Sequence, residues 1–415
     1  MSAGAGTLLE NASPLRSAGF RWLMLYRICT LLSYQVVAVA VGWHIYVLTR
    51  DPLALGLVGL AEVVPYFCIA PFSGYLVDHL PRRKLGAAAC ALLALNAGVL
   101  ALTASGVLAL HGTWPIYLAV AVGGIGRSFL GPVYNALFAR VLRREQFARG
   151  ASLGSVVFQG GLVLGPALGG VLVGALGAGA AFATGTVLAL LASATLLAMP
   201  VTEPPRPQQR GPIFASIAEG ARFVAGSQVM LGAMALDMFS VLLGGAVSML
   251  PAFIKDILHA GPEALGILRA APAIGSIAVA LWLTRHPLQR HAGRVLLLAV
   301  ASFGLCTIAF ALSRHVWLSA ALLVAYGACD GVSVVLRSTI MQLVTPDAMR
   351  GRVSSINGIF ISSSNELGAF YDGVMARLLG LVPAMIVGGF VTLGVVATTA
   401  RLAPRLRRLD LRELQ

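Results

Sequence analysis

An all-α membrane protein, with about twelve transmembrane helices in two pseudo-symmetric six-helix bundles, is the fold class this sequence predicts. Three observations carry it. The first is composition: of 415 residues, 58% are hydrophobic and only 11% charged, with a mean hydropathy of +0.85. A soluble chain carries roughly 25% charged residues, so lipid is the solvent for most of this one. At about 20 residues per span it has room for about twelve. The second is the placement of the cations. Of 30 Lys and Arg, only Arg50, Lys255, Arg314 and Arg377 fall in the loops of one side, and Arg27, Arg127, Arg269 and Arg337 fall inside apolar runs. The rest cluster in the opposite loops and at both ends, which places those ends in the cytoplasm. The net charge of +14 therefore reflects topology and lipid headgroups, and nucleic acid is not an expected partner. The third is an internal repeat. DPLALGLVGLA (51–61) lies over GPEALGILRAA (261–271), and ARGASLGSVVF (148–158) over GRVSSINGIFI (351–361). Two similar halves joined by a polar linker mark a transporter whose substrate binds between the repeats.

Taken in order, the first span covers about 21–48, with Arg27, Tyr34, Gln35 and His44 among apolar residues, and Arg50-Asp51-Pro52 turns the chain on the outside. No small-residue cleavage site follows a short apolar core, so this span is expected to be retained. The second starts at 53 and carries Glu62, Pro65 and Pro71. A charged turn, GYLVDHLPRRK (74–84), leads into the third, which ends near 111. The fourth covers 114–139, the fifth 150–176 and the sixth 180–199. Residues 1–200 thus form the first bundle. Residues 201–228, rich in Pro, Gln and Arg and ending in a short amphipathic piece (213–223), form a cytoplasmic linker. The second bundle, 229–415, holds spans at 229–254, 263–284, 294–312, 316–343, 353–379 and 382–400, then a basic tail. Cys29, Cys68, Cys90, Cys306 and Cys329 all sit in apolar runs without metal-ligand spacing, so neither a disulfide nor a metal site is expected.

Three motifs stand out. In 74–84, Asp78 precedes Arg82, Arg83 and Lys84, and Gly74 has no side chain to hold the neighbouring helix away. In the fifth span GLVLGPALGG (161–170) puts Gly161, Gly165 and Gly169 on one stripe beside Pro166 and Gly170, a face for close helix contact. In the fourth span Arg127 lies in GRSFLGP (126–132). Charge at mid-bilayer costs roughly 2.5 to 3.5 kcal/mol on insertion scales unless paired or wetted. On that ground Arg127, Asp237, Asp330, Arg337, Glu366 and Asp372 are candidates for substrate or proton coupling, whereas Arg27, Glu62 and Arg269 are expected in structural pairs. His44 is read as an interface residue. The repeat aligns Arg27 with Asp237, Arg127 with Asp330, and Asp78 with Leu288, so only the first half keeps the complete charged turn.

These motifs resemble the loop 2–3 signature, the antiporter motif and the helix 4 arginine motif of the major facilitator superfamily. Longer stretches, VAVGWHIYVLTRDPLALGLVGLAEVVP, LDMFSVLLGGA, GILRAAPAIG and TPDAMRGRVSSINGIFISSSNELGAF, resemble its branch of macrolide, multidrug and enterobactin exporters. The resemblance implies the major facilitator fold and a latch in which Gly74, Asp78, Arg82 and Arg83 close the cytoplasmic side, with Asp78 against the start of the eleventh helix. It also implies an exporting direction. Pro81 replaces a common Gly, and NELGAFYDG replaces the usual NELGEFESG, so Ala369 and Tyr371 stand where two glutamates are expected and Asp372 is new. No GxxxxGK[ST] loop is present, so the proton gradient rather than ATP is the expected energy source, with no cofactor.

The function expected is that of a secondary transporter in a bacterial inner membrane, multi-pass, monomeric and non-enzymatic. It would export a hydrophobic or amphipathic small molecule, drug-like or siderophore-like, against protons by alternating access. An importer, a lipid-type flippase or a non-transporting receptor of the same fold are the alternatives.

Overall fold

Backbone amides in hydrocarbon have no water to bond, so each apolar run must satisfy its own N–H and C=O groups, and the α-helix does so. The computed structural model describes residues 14–108, 112–143, 146–201, 213–245, 247–286, 288, 290–346 and 349–411. In chain order its helices are α1 (Ala18–Thr49), α2 (Pro52–His79), α3 (Arg82–Ala104), α4 (Trp114–Val141), α5 (Phe147–Leu176), α6 (Ala178–Ala198), α7 (Ile213–Gly226), α8 (Gln228–Gly244), α9 (Leu250–Asp256), α10 (Pro262–Arg285), α11 (Ala292–Leu312), α12 (Val316–Val344), α13 (Arg350–Leu379), α14 (Leu381–Leu402) and α15 (Pro404–Arg407). Among the described residues, eleven stretches are long and apolar enough to cross a membrane, α8 and α9 together forming one. α13 has the length, 30 residues or about 45 Å, but carries Asn357, Asn365, Glu366 and Asp372. It is the polar member of the expected twelve.

By contact the chain divides into two compact units, Met1–His44 with Val64–Gln208 and Ile45–Val63 with Gln209–Gln415. The ends of α1 and α2 that flank Arg50–Asp51 therefore pack with the second half of the sequence.

In the first unit α3 packs on α4 and α6. The glycine stripe of α5 is buried and rides on α1. A Cβ at Gly161 would lie 3.1 Å from Leu31, one at Gly165 2.5 Å from Gln35, and one at Gly169 3.0 Å from Val39. Pro166 and Gly170 are buried beside them, while Leu164, Leu168 and Val171 on the other face are exposed for lipid. The packing expected of the motif is thus made, and α1 is its partner. At the other end of this unit Arg83 donates to the Leu196, Leu197 and Val201 carbonyls. The first two are acceptors left open by the last turn of α6, and Val201 follows it.

In the second unit α12 packs on α10 and α11, and α14 on α8 and α11. Gly275 and Gly327 each face backbone, of Val324 and of Pro272, where no side chain would fit. Two findings go beyond the sequence reading, which runs the seventh span as one stretch and leaves the placement of the tail open. The seventh span is not one helix: it breaks after Gly244, where Gly245 is extended, and resumes through a 3-10 turn (Val247–Met249) into α9. Two successive glycines supply no side chain to hold the helix together, and a Cβ on Gly388 of α14 would stand 2.9 Å from the Leu243 carbonyl. The basic tail is also docked rather than free. Ala403, Leu406, Leu409 and Leu411 are buried against Ala233, Leu236, Ala292 and Leu296, and the Gly293 amide donates to the Leu409 carbonyl. The linker at 202–212 lies outside the described residues. The amphipathic piece after it is α7, whose Val224 is buried against Met230, Met234, Val353 and Ile356.

Gly165→Leu should destabilise the protein by about 1 to 3 kcal/mol, the usual range for overpacking. Gly160→Leu, five residues earlier on the same helix and with nothing within 4 Å of its Cβ position, should not. Thermal melts of the two variants in the same detergent decide this.

Candidate functional site

Two groups of buried charge emerge, one in each unit. In the second unit Asp237 projects from α8 and Arg337 from α12, and they form an ion pair in which both side chains are 10% exposed. The Arg337 Nε donates to the Ser333 hydroxyl one turn earlier at 3.2 Å, which fixes the guanidinium plane. Asp330, two turns before Arg337 on α12, lines the same cavity as Asp237, together with Ser240, Val241, Val300, Phe303, Cys329 and Ser333. Two carboxylates thus lie on one cavity, and only Asp237 is paired with the guanidinium. A partner-less ion in such a place would cost several kcal/mol, and the salt bridge supplies Asp237 with its partner.

In the first unit the two intramembrane arginines are held by rings. The Arg27 guanidinium lies 3.8 Å from the centroid of Tyr134 and 5.4 Å from that of Phe158. Arg127 lies 4.6 Å from Tyr34 and 5.7 Å from Tyr66. Arg27 is expected in a structural pair, and the partners the structure gives it are rings. The negative face of an aromatic ring stabilises the cation, and the Arg27 Nε has no hydrogen-bond partner among the described residues. A planar, weakly hydrated guanidinium tolerates this where an ammonium would not.

The remaining candidates are spread over both units. Asp372 accepts a hydrogen bond from Ser248 at 2.6 Å, in the break between α8 and α9. Glu366 is half-buried, and a Cβ on Gly59 of α2 would come 3.5 Å from its carboxylate. Glu62 and Arg269 are half-buried on α2 and α10. His44 meets Phe182 edge-on, 6.1 Å between ring centroids. At the 74–84 turn the Asp78 side chain lies outside the described residues. Arg82 donates to the Val77 carbonyl and Arg83 caps α6. Among the described residues nothing lies within 4 Å of a Cβ on Gly74.

Sequence reasoning missed one constellation altogether. At the outer end of the second unit, Asp256 accepts from the Tyr46 hydroxyl and pairs with Arg50 at 3.6 Å, while Asp51 pairs with Arg377 at 3.2 Å. Just below, Gly56 and Gly373 bring α2 and α13 into contact, a Cβ on Gly373 lying 3.0 Å from the Gly56 Cα. Opposite charges in turns far apart in sequence were the available signal.

A family model described as transmembrane secretion effector matches residues 10–414. The chain belongs to this family of major facilitator transporters. It is 28% identical over 385 residues to the enterobactin exporter EntS of Shigella boydii serotype 18, spanning 91% of this chain and 88% of that one. The same identity holds over 386 residues with EntS of Citrobacter koseri. Among solved structures it is similar to a bacterial homologue of the human lysosomal transporter Spinster, in an inward-facing and occupied conformation, with a TM-score of 0.76 at 16% identity over 96% of this chain and 100% of that one. It is also similar to a point mutant of the nucleoside transporter NupG, with a TM-score of 0.70 at 13% identity over 92% and 99%. The protein is thus a multi-pass membrane transporter of the major facilitator type and not an enzyme.

Two ion pairs of this transporter should respond very differently to loss of one partner. Arg337→Ala strands Asp237 in the interior and should cost about 3 to 5 kcal/mol. Asp51→Asn keeps the acceptor that caps Leu53 at 2.9 Å and removes only an exposed pair, a loss of at most about 1 kcal/mol. Melting curves should therefore rank Arg337→Ala far below Asp51→Asn; equal shifts would contradict the assignment of Asp237–Arg337 as the buried anchor.

Proposed function

We propose that this transporter is a proton-coupled exporter of hydrophobic or amphipathic small molecules of the siderophore or drug type. It works by alternating access in a bacterial inner membrane, with both termini cytoplasmic. The observation that carries the reading is the Asp237–Arg337–Asp330 group. Ionisable residues within spans mark proton relays and substrate paths by default, because their burial is otherwise too costly to retain. Here one acid is neutralised by a fixed guanidinium and the second is left with a choice of protonation state.

In this reading Asp330 takes the proton on the outer side and releases it inside, beside an Asp237–Arg337 pair that stays closed throughout. Arg127 and Arg27, walled by Tyr34, Tyr66, Tyr134 and Phe158, are the surface for an amphipathic substrate, since rings and guanidinium planes offer stacking and charge together. Glu366 and Asp372 support coupling from α13, where Ser248 holds Asp372. Gly74, Asp78, Arg82 and Arg83 act in the cytoplasmic latch, with Arg83 holding α3 to α6. The exporting direction and the siderophore class rest on similarity to the EntS exporters. The working unit is a monomer, driven by the proton gradient without a cofactor.

Everted membrane vesicles loaded by respiration test the reading. Uptake of labelled siderophore or macrolide should collapse when the proton gradient is dissipated, and Asp330→Asn should lower it about a hundredfold or more, the low end of what proton transfer by a positioned side chain contributes. Accumulation that survives loss of the gradient would remove proton coupling, and accumulation by intact energised cells would reverse the direction. For the latch, Asp78→Asn should lower uptake while leaving the amount of protein in the membrane unchanged; uptake equal to that of the unmodified protein would reject it.

A further inference from the structure

The cavity between α8 and α12 offers more than a proton acceptor. Asp237 and Ser240 are three residues apart on α8, and Asp330 and Ser333 are three apart on α12. That spacing places each hydroxyl on the face of its carboxylate, one turn on. The motif D-x-x-S therefore occurs twice, and all four side chains line the one cavity. Val241, Val300 and Phe303 add an apolar wall to this half-open cavity, which has space for roughly one water-sized guest.

Two features of this cavity ask for an occupant. The Ser240 residue is 2% exposed, yet its hydroxyl has no hydrogen-bond partner among the described residues. Buried polar atoms are paired in the great majority of cases, and each exception calls for a bound group. The charge is also incomplete. Arg337 pairs with Asp237, and Asp330 brings one further negative charge that no second guanidinium or ammonium on the cavity wall offsets.

We propose that this cavity is a sodium-ion site, with the Asp330 carboxylate and the Ser240 and Ser333 hydroxyls among its oxygen ligands. Carboxylate and hydroxyl oxygens are hard donors, which select hard cations over soft ones. One residual negative charge matches a monovalent ion, since a divalent ion would leave the interior positive. Asp237 is held by Arg337 and acts from behind as a fixed counter-charge. The Ser333 hydroxyl accepts from Arg337 and keeps a second lone pair for the ion, so binding and the orientation of Arg337 are linked. Sodium binding goes beyond the proton coupling proposed above and stands on the cavity alone.

The test uses the full chain, purified in detergent with choline as the only monovalent cation. Sodium chloride should raise the melting temperature saturably, while added choline chloride at equal ionic strength should not. Equilibrium dialysis with radioactive sodium should give one ion per chain. Ser240→Ala and Ser333→Ala, each the loss of one hydroxyl, should weaken the apparent affinity by roughly tenfold or more, and Asp330→Asn should abolish binding. Size-exclusion profiles identify variants that have not folded, and the two serine variants are mild enough to keep the test open if Asp330→Asn is lost. Identical melts in sodium and choline with no sodium retained on dialysis would overturn the site, leaving a cavity for water or a proton. Sodium binding untouched by the serine variants and Asp330→Asn would place the ion elsewhere and equally overturn it. Saturable sodium binding in a protein that moves no substrate in vesicles would keep the site and remove the exporter reading, so the two can fail separately.

Discussion

The Asp237–Arg337 pair sets terms that the second unit has to meet. An isolated ion in a medium of low dielectric is costly enough to shift its charge state or unfold its surroundings. Once α8 carries Asp237 inward, α12 must present a guanidinium at that depth, and something must hold the guanidinium in place. Ser333 does the holding. The close crossing at Gly275 and Gly327 holds α12 against α10, so the arginine cannot drift toward lipid with its helix. The packing glycines and the charged group are one construction, in which small residues fix the helix spacing that makes the ion pair reachable.

The repeat turns this into a contrast between halves. Positions related by the internal alignment carry opposite charge, Arg27 against Asp237 and Arg127 against Asp330. The surroundings differ to match. Arginine can bury its plane against Tyr134 or Tyr34 and gain from the ring quadrupole, whereas a carboxylate is repelled by the same ring face and needs hydroxyls or a cation. Unit one accordingly supplies aromatic residues around its charges, and unit two supplies serines and Arg337. Duplicated architecture has been divided between a surface suited to stacking and a group suited to ion exchange.

Much of this was legible in the residues. Runs of about 20 apolar residues reveal spans because lipid leaves the backbone few alternatives, and the Gly161-Gly165-Gly169 stripe predicted a close contact that α1 provides. What stayed hidden depended on partners distant in the chain. The break at Gly244–Gly245 sits inside a run whose hydropathy is continuous, so composition gave no signal, though the glycine pair did. The tail reads as basic because Arg401, Arg405, Arg407 and Arg408 dominate its charge, but those arginines are exposed and the buried positions are Ala403, Leu406 and Leu409. Their spacing of three is a helical face that a count of charges overlooks. The doubled D-x-x-S is visible in the sequence, yet its meaning required knowing that α8 and α12 face one cavity.

The ion pairs at the outer end of the second unit show why position matters more than number. Arg50 and Asp256 are 57% and 41% exposed, and Arg377 and Asp51 are 58% and 35% exposed. Pairs so open to solvent are each worth at most about 1 kcal/mol. The Asp237–Arg337 pair is 10% exposed on both sides, and breaking it by removing one partner costs several times more. Contacts that must part and re-form during a transport cycle have to be weak individually. A contact that neutralises a buried charge has to survive every state. The exposed pairs around Asp51 and Asp256 meet the first requirement and the buried pair meets the second. Between them, Gly56 and Gly373 let α2 and α13 meet without interlocking side chains, a surface that can separate and close again without repacking a core.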